Sequence, residues 1–216
     1  MYLCTQKKKD NEKGMKLILL TCPEFFVEED KILTTLFEEG LDILHFRKPN
    51  SEPVFCERLL SLMPEQYRSR VVVHDHFYLR EEFGLKSIHL DTLDTELPYG
   101  YRGDFSCTCR SLDQLQECKK KASYVFLQNI FDSQSNPNDT QSFTEEDLRA
   151  AAKQGLIDRH VYALGGLNLD NIRMVKDLGF GGVCICGDLW NRFNIHQEQD
   201  YKDLIGHFKK WQKAVS

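Results

Sequence analysis

The sequence predicts an α/β fold, a single (β/α)8 TIM barrel. Eight short apolar runs recur along the 216-residue chain with helix-period segments between them. No Pro-, Gly- or Ser-rich linker divides it. Nearly every run also ends abruptly in polar or charged residues, as strand ends do at the working rim of a parallel barrel. An open doubly wound sheet is the alternative architecture.

The elements follow in order. Residues 1–14 are polar, lysine-rich and weakly patterned, so they read as a disordered extension, and the barrel domain is assigned to 15–216. Strand signals lie at Leu17 to Leu20, Leu41 to Phe46, Val71 to Val73, Ser87 to Leu90, Asp104 to Thr108, Tyr124 to Leu127, His160 to Leu164 and Gly182 to Cys186. Between the first two, Ile32, Leu33, Leu36 and Phe37 form one apolar stripe of a helix over Glu28 to Glu39. Asn50 to Pro53 punctuates the entry to the next helix, with Phe55, Leu59 and Leu62 following at helical spacing, and a short one is expected around Tyr78 to Phe83. Ser111 is placed to cap Leu112 to Lys121, and Thr144 with Asp147 makes a capping box for a segment running to Gly155. Asn171 to Leu178 stops at Gly179, a natural position just past a helix end, and Tyr201 to Trp211 closes the chain amphipathically.

Composition narrows the function. With 28 Lys+Arg against 33 Asp+Glu, the net charge of −5 gives no basic tract to neutralise nucleic-acid phosphates. No apolar run approaches the roughly 17 residues that span a bilayer, so no membrane partner is expected. Met1 to Gly14 lacks the apolar centre of a secretory signal, which makes the eight cysteines reduced thiols of a cytoplasmic protein. No C-x2-C pair marks a cysteine zinc site.

The strand ends, taken together, describe an anion-handling pocket. His45, Arg47 and Lys48 follow the second strand; His74, Asp75 and His76 the third; His89, Asp91 and Asp94 the fourth; Thr108 and Arg110 the fifth. Gln128, Asn129, Ser133 and Ser135 follow the sixth, Gly165, Gly166 and Asn168 the seventh, and Gly187 with Asp188 the eighth. Gly165 and Gly166 lack Cβ atoms, so their amides, with those around Gly187 and Asp188, can surround a phosphate at the last two loops. Asp75 and Asp94 are hard oxygen donors suited to Mg²⁺, with Asp91 replacing Asp94 if the loop register shifts by three. Arg47 can fork onto phosphate, whereas Lys48 points outward if its neighbour takes the inward position; Arg110 is a second cation. No nucleophile-elbow or H-x3-H signature occurs, and Cys109 is the thiol nearest the mouth.

On these positions the chain resembles the thiamine-phosphate synthase and thiazole tautomerase (TenI-like) superfamily from Met15 to the C-terminus. LHFRKPN, VVVHDHFYLREEFG, SIHLDTLD, YVFLQNIFDSQSN, YALGGLNLDNI and GFGGVCICGDL are similar to its successive blocks in order and spacing. The resemblance implies a transferase that joins a hydroxymethylpyrimidine pyrophosphate to a thiazole phosphate, forming thiamine phosphate and releasing pyrophosphate. It implies Mg²⁺ held by Asp75 and Asp94, with Arg47, Arg110, His45 and His74 as the candidate catalytic residues. Lys48, Ser133, Ser135, Gly165, Gly166, Gly187 and Asp188 would contact the phosphate groups, and a homodimer is left open. The chain departs from the pattern in having His45 for Gln, His74 for Asn, Asp91 for Gly, Pro49 for a cation and Asn136 for the strand-six loop Lys. The tautomerase branch isomerises a thiazole carboxylate phosphate with a His where this chain has Arg110, which cannot serve as a base. A noncatalytic barrel that binds a phosphorylated ligand is the third alternative.

Overall fold

A computed structural model describes residues 14–216 other than 137, 195 and 196. The expected extension therefore lies, apart from Gly14, outside the described residues. Eight parallel strands close into a barrel in sequence order: β1 (Lys16–Leu20), β2 (Ile43–Phe46), β3 (Val71–Val73), β4 (Ser87–Leu90), β5 (Phe105–Cys109), β6 (Val125–Gln128), β7 (Val161–Leu164) and β8 (Gly182–Ile185). Closure comes from β1, which pairs Ile18 with Ile43 of β2 on one side and with Cys184 of β8 on the other.

Side-chain alternation along these strands sorts the residues into two layers. Leu17 and Leu19, Val125 and Leu127, Val161 and Ala163, and Val183 and Ile185 point outward into the shell beneath the helices. Ile18, Tyr124, Phe126 and Cys184, with Leu20, Ile43, Tyr162 and Leu164 against them, fill the barrel itself. The outer shell is covered by α1 (Glu29–Glu38), α2 (Pro53–Leu62), α3 (Glu65–Arg68), α4 (Leu79–Glu82), α5 (Leu115–Lys121), α6 (Glu145–Lys153), α7 (Ile172–Asp177), α8 (Gly187–Trp190) and α9 (Glu198–Val215). Residues 91–104, between β4 and β5, carry no helix.

Local signals explain some boundaries. In the Thr144 capping box, Thr144 Oγ1 accepts from the Asp147 amide at 3.1 Å and Asp147 Oδ2 accepts from the Thr144 amide at 3.0 Å. Gly179, at φ 83°, ends α7 in the left-handed conformation that glycine favours. Ser111 does not cap α5: residues 112–114 form a turn, and the helix starts at Leu115, which that turn delivers fully buried to the core. The one-turn helices α3 and α8 add to the expected elements; neither is long enough to carry a periodic stripe. Among the described residues, no helix is long and apolar enough to cross a membrane, and the seven described cysteines are free thiols.

Candidate active site

The inward set of side chains continues from the barrel core to its C-terminal rim. His45 lies inside on β2, and Arg47, two residues on, reaches the mouth; Thr108 leads in the same way to Arg110, Phe126 to Gln128 and Cys184 to Cys186. Together with the loops after β6, β7 and β8, these residues other than His45 enclose a cavity of about 280 Å³. Phe126 and Leu164 supply apolar wall, and the cationic side chains lining it, among the described residues, are Arg47 and Arg110. Arg110 turns inward far enough for Nη1 to donate to the Asp91 carbonyl at 3.1 Å.

The candidate residues sort into those the fold brings together and those it does not. Arg47, His74, Arg110, Ser133, Ser135, Gly165, Gly166, Gly187 and Asp188 all line the cavity. His45 sits below it, fully buried. Lys48 is out of phase with Arg47 and faces the opposite way. Its buried Nζ donates to Glu29 Oε1 and Oε2 at 2.6 and 2.8 Å and to the carbonyls of Cys22 and Glu24, both at 2.9 Å. It is therefore a strut that fixes the β1–α1 loop, not a phosphate-facing cation. Burial pushes the Glu29 pKa up to about 7 against the opposing pull of Lys48.

Neither of the two carboxylates expected to hold Mg²⁺ lines the cavity. Asp75 is half-buried at the rim, and its pKa is raised by burial and by the nearby Asp91 carboxylate, while Arg47 opposes the shift. Asp94 is exposed and outside the cavity wall, with its charge felt by Lys121 of α5. Asp91 takes the inward place instead, because it continues the alternation of His89 on β4. Asp188 lines the cavity, yet its carboxylate is committed elsewhere. Oδ1 accepts from Arg192 Nη2 at 2.7 Å, and Oδ2 accepts from His207 Nε2 at 2.7 Å and Trp211 Nε1 at 2.8 Å. Burial works against the ionised form, but these hydrogen bonds outweigh it and hold the pKa below the usual carboxylate range.

The glycine pair after β7 owes its identity to a close approach of protein to protein. Gly165 and Gly166 have φ of 103° and 62°. A Cβ on Gly165 would lie 2.9 Å from the Asn129 amide nitrogen, and one on Gly166 would collide with the Asp132 carbonyl. The pair thus packs the β7 loop against the β6 loop and keeps both on the cavity wall. In that β6 loop Ser133 Oγ accepts from the Asn136 amide at 3.1 Å and lies 3.5 Å from Ser135 Oγ. Asn136 Nδ2 donates to Asp139 Oδ2 at 2.9 Å, and Asp139 itself lines the cavity. No periodic signal marks Asp139, which arrives through a loop turn.

Below the cavity three imidazoles share the upper barrel interior. His45 Nδ1 is 2.8 Å from His74 Nε2, and His45 Nε2 is 2.6 Å from Tyr124 Oη. His89 Nδ1 and Nε2 pair with Ser106 Oγ at 2.8 Å and Thr108 Oγ1 at 2.9 Å. One ring nitrogen from each histidine lies within 4.8 Å of the others, a set able to chelate a metal ion. Burial holds His45 and His74 well below the usual imidazole range, and burial with the Arg47 and Arg110 charges lowers His89 to about 3. All three are neutral at pH 7. Cys109 and Cys186 are not nucleophiles, since burial pushes both thiols up to about 12.

This mouth geometry belongs with a sequence match that covers most of the chain: the thiamine monophosphate synthase family matches residues 17–189. The chain belongs to that family. A thiamine phosphate pyrophosphorylase of Bacteroides thetaiotaomicron has a similar structure, with a TM-score of 0.83 at 49% identity over 93% of this chain and 97% of that one. A thiamine-phosphate synthase of Halalkalibacterium halodurans is 23% identical over 190 residues, 82% of this chain and 88% of its own length. The thiamine phosphate pyrophosphorylase of Pyrococcus furiosus shares the fold, with a TM-score of 0.70 at 19% identity over 94% of this chain and 98% of that one. Within this thiamine monophosphate synthase family, the His45–His74–His89 cluster and the neutral Asn136 are features of the present site that the family name alone does not explain.

Proposed function

We propose that the protein is a thiamine-phosphate synthase, a transferase that condenses a hydroxymethylpyrimidine pyrophosphate with a thiazole phosphate. The observation that carries this reading is the convergence of Arg47 and Arg110 with the β6, β7 and β8 loops on one cavity lined partly by Phe126 and Leu164. Two guanidinium groups suit a diphosphate, and the apolar wall suits flat heteroaromatic rings.

In the reaction the C–O bond between the pyrimidine methylene and pyrophosphate breaks with its electron pair leaving on oxygen. The methylene carbon becomes cationic, and the thiazole nitrogen lone pair forms the new C–N bond. Arg47 and Arg110 hold the departing negative charge. The imidazole layer beneath adds hydrogen-bonding capacity without positive charge, because its three rings stay neutral, so it does not repel the developing cation. No protein nucleophile takes part, in keeping with the buried, high-pKa thiols.

The residues present suit Mg²⁺. Asp75 and Asp91 are carboxylates close enough to interact: burial first, and then the Asp91 charge, raise the Asp75 pKa, and a hard divalent cation would favour the ionised form of both. Mg²⁺ held there would neutralise pyrophosphate oxygens and stabilise the leaving group. Asp75 and Asp91, rather than Asp94, are the proposed ligands. The thiazole tautomerase alternative needs a base at the mouth. Arg110 stays protonated, and the imidazole lining the cavity, His74, is a weak base because burial depresses its pKa.

The test offers purified protein both synthase substrates, and separately the thiazole carboxylate phosphate, with and without Mg²⁺. Thiamine phosphate formation matched by pyrophosphate release, only with Mg²⁺, is expected. Metal-independent isomerisation of the thiazole, or ligand binding without turnover, would contradict the proposal.

A further inference from the structure

The imidazole cluster is larger than the synthase reading requires. Neutral rings could give hydrogen bonds singly, yet three are stacked into one volume, with His74 and His89 ring centroids 4.2 Å apart and His45 and His89 centroids 5.2 Å apart. We propose that His45, His74 and His89 form a binding site for a borderline divalent transition-metal ion such as Zn²⁺, separate in ligand chemistry from the carboxylates that suit Mg²⁺. Imidazole nitrogen favours zinc and its neighbours, whereas Mg²⁺ takes oxygen donors.

Spacing supports the assignment. Zinc–nitrogen bonds of roughly 2.0–2.1 Å in a tetrahedral site put ligand nitrogens about 3.3 Å apart. His45 Nδ1 and His74 Nε2 already stand 2.8 Å apart, joined through one hydrogen that the ion would displace. The His89 nitrogen lies within 4.8 Å of both ligand atoms and needs only a ring adjustment to join them.

For His45 and His89 the surrounding hydroxyl groups match what metal-binding histidines require, an oxygen partner for the ring nitrogen that does not bind the ion. Tyr124 Oη stands 2.6 Å from His45 Nε2. Ser106 Oγ and Thr108 Oγ1 flank His89, so either ring nitrogen can ligate while the other keeps a partner. His74 Nδ1 is buried with no hydrogen-bond partner, and Nε2, which faces His45 Nδ1, is the nitrogen turned towards the ion. His74 also lines the mouth cavity, which gives the ion a route from solvent and leaves room for water or a substrate donor as a further ligand.

The proton balance is specific. The displaced hydrogen moves from His45 Nδ1 to His45 Nε2, where it is donated to Tyr124 Oη, whose own hydrogen turns away. Three neutral imidazoles bind the ion with no net proton release. Cysteine thiols, which are protonated here, would release a proton for each sulfur ligated.

The test uses full-length, tag-free protein and the metals alone. Zn²⁺ is titrated calorimetrically at pH 6, where a zinc-bound water keeps both protons, in two buffers of different ionisation enthalpy with excess Mg²⁺ present, and Co²⁺ is used as a visible probe. One equivalent of Zn²⁺ bound with the same heat in both buffers is expected. Co²⁺ should give a tetrahedral or five-coordinate spectrum without thiolate charge-transfer bands. H74N should weaken Zn²⁺ binding at least about tenfold while keeping the wild-type circular dichroism. H89N is the second variant, and if it misfolds, H74N decides alone because its ring reaches the cavity surface. No stoichiometric binding, thiolate bands, buffer-dependent heat or unchanged affinity in H74N would each overturn the proposal. Turnover is not a readout, so failure of the synthase reading would leave this result standing.

Discussion

Lowering the pH from 7 to 5 should destabilise the barrel through its three buried imidazoles. In the unfolded chain each has a pKa near 6.5 and takes up a proton over this interval, while the folded forms of His45 and His74 lie well below 6.5 and that of His89 near 3. A depressed folded pKa means the unfolded state binds more protons, so stability is present above the unfolded pKa and falls as pH drops through the window from 6.5 towards the folded values. His89, neutral down to about 3 in the folded state, loses about 2 kcal/mol between pH 7 and 5, and His45 and His74 add losses of the same sign. Glu29 acts in the opposite sense: with its folded pKa raised to about 7, it binds a proton sooner in the folded state and returns about 2 kcal/mol over the same interval. The Glu29 gain offsets about one imidazole, so the net loss comes from the other two and draws on the roughly 5–15 kcal/mol that a typical domain has. Urea unfolding followed by circular dichroism at pH 7, 6 and 5, in chelator-containing buffer, measures it. His89→Asn should remove about 2 kcal/mol of the imidazole loss. A wild-type stability that is flat across this range would refute the reasoning, because it would mean the imidazoles protonate in place.

Lys48→Met should cost about 3–5 kcal/mol, since it strands the Glu29 carboxylate in the core, and adding Glu29→Leu should recover much of that loss; equal urea midpoints for the single and double variants would deny the coupling. Gly166→Ala forces a Cβ into the Asp132 carbonyl at φ 62° and should cost at least about 2 kcal/mol, read as a lowered Tm, with loss of turnover as the β6 loop is displaced. Arg110→Gln should leave Tm unchanged because the side chain is exposed, yet lower kcat/KM for the pyrimidine pyrophosphate by roughly ten- to a hundredfold, the worth of about 1.5–3 kcal/mol for a hydrogen bond to a charged group.

The barrel was legible because its strands are short apolar runs that break into charge. β3 and β4 fall on the expected residues Val71–Val73 and Ser87–Leu90, and the Thr144 capping box is a purely local signal. What the sequence left unresolved was direction at the rim. Arg47 and Lys48 are adjacent and equally cationic, and only the alternation fixed by the buried His45 sends one to the cavity and the other to Glu29. Asp91 and Asp94 pose the same ambiguity: strand alternation reaches Asp91, but the path of the loop that carries Asp94 outward is decided by tertiary packing. The His45 contact with Tyr124 joins residues 79 apart in the chain, beyond the reach of any local pattern.

The account rests on Asp75 and Asp91 serving one diphosphate-bearing ligand at the barrel mouth. The most direct measurement is Mg²⁺-dependent pyrophosphate release from the two synthase substrates by the wild type, Asp75→Asn, Asp91→Asn and Asp94→Asn. The first two substitutions should lower the rate by about a hundredfold or more, a loss of several kcal/mol of charge stabilisation, while Asp94→Asn retains most of it. A wild-type rate in Asp75→Asn and Asp91→Asn, or a loss confined to Asp94→Asn, would contradict it.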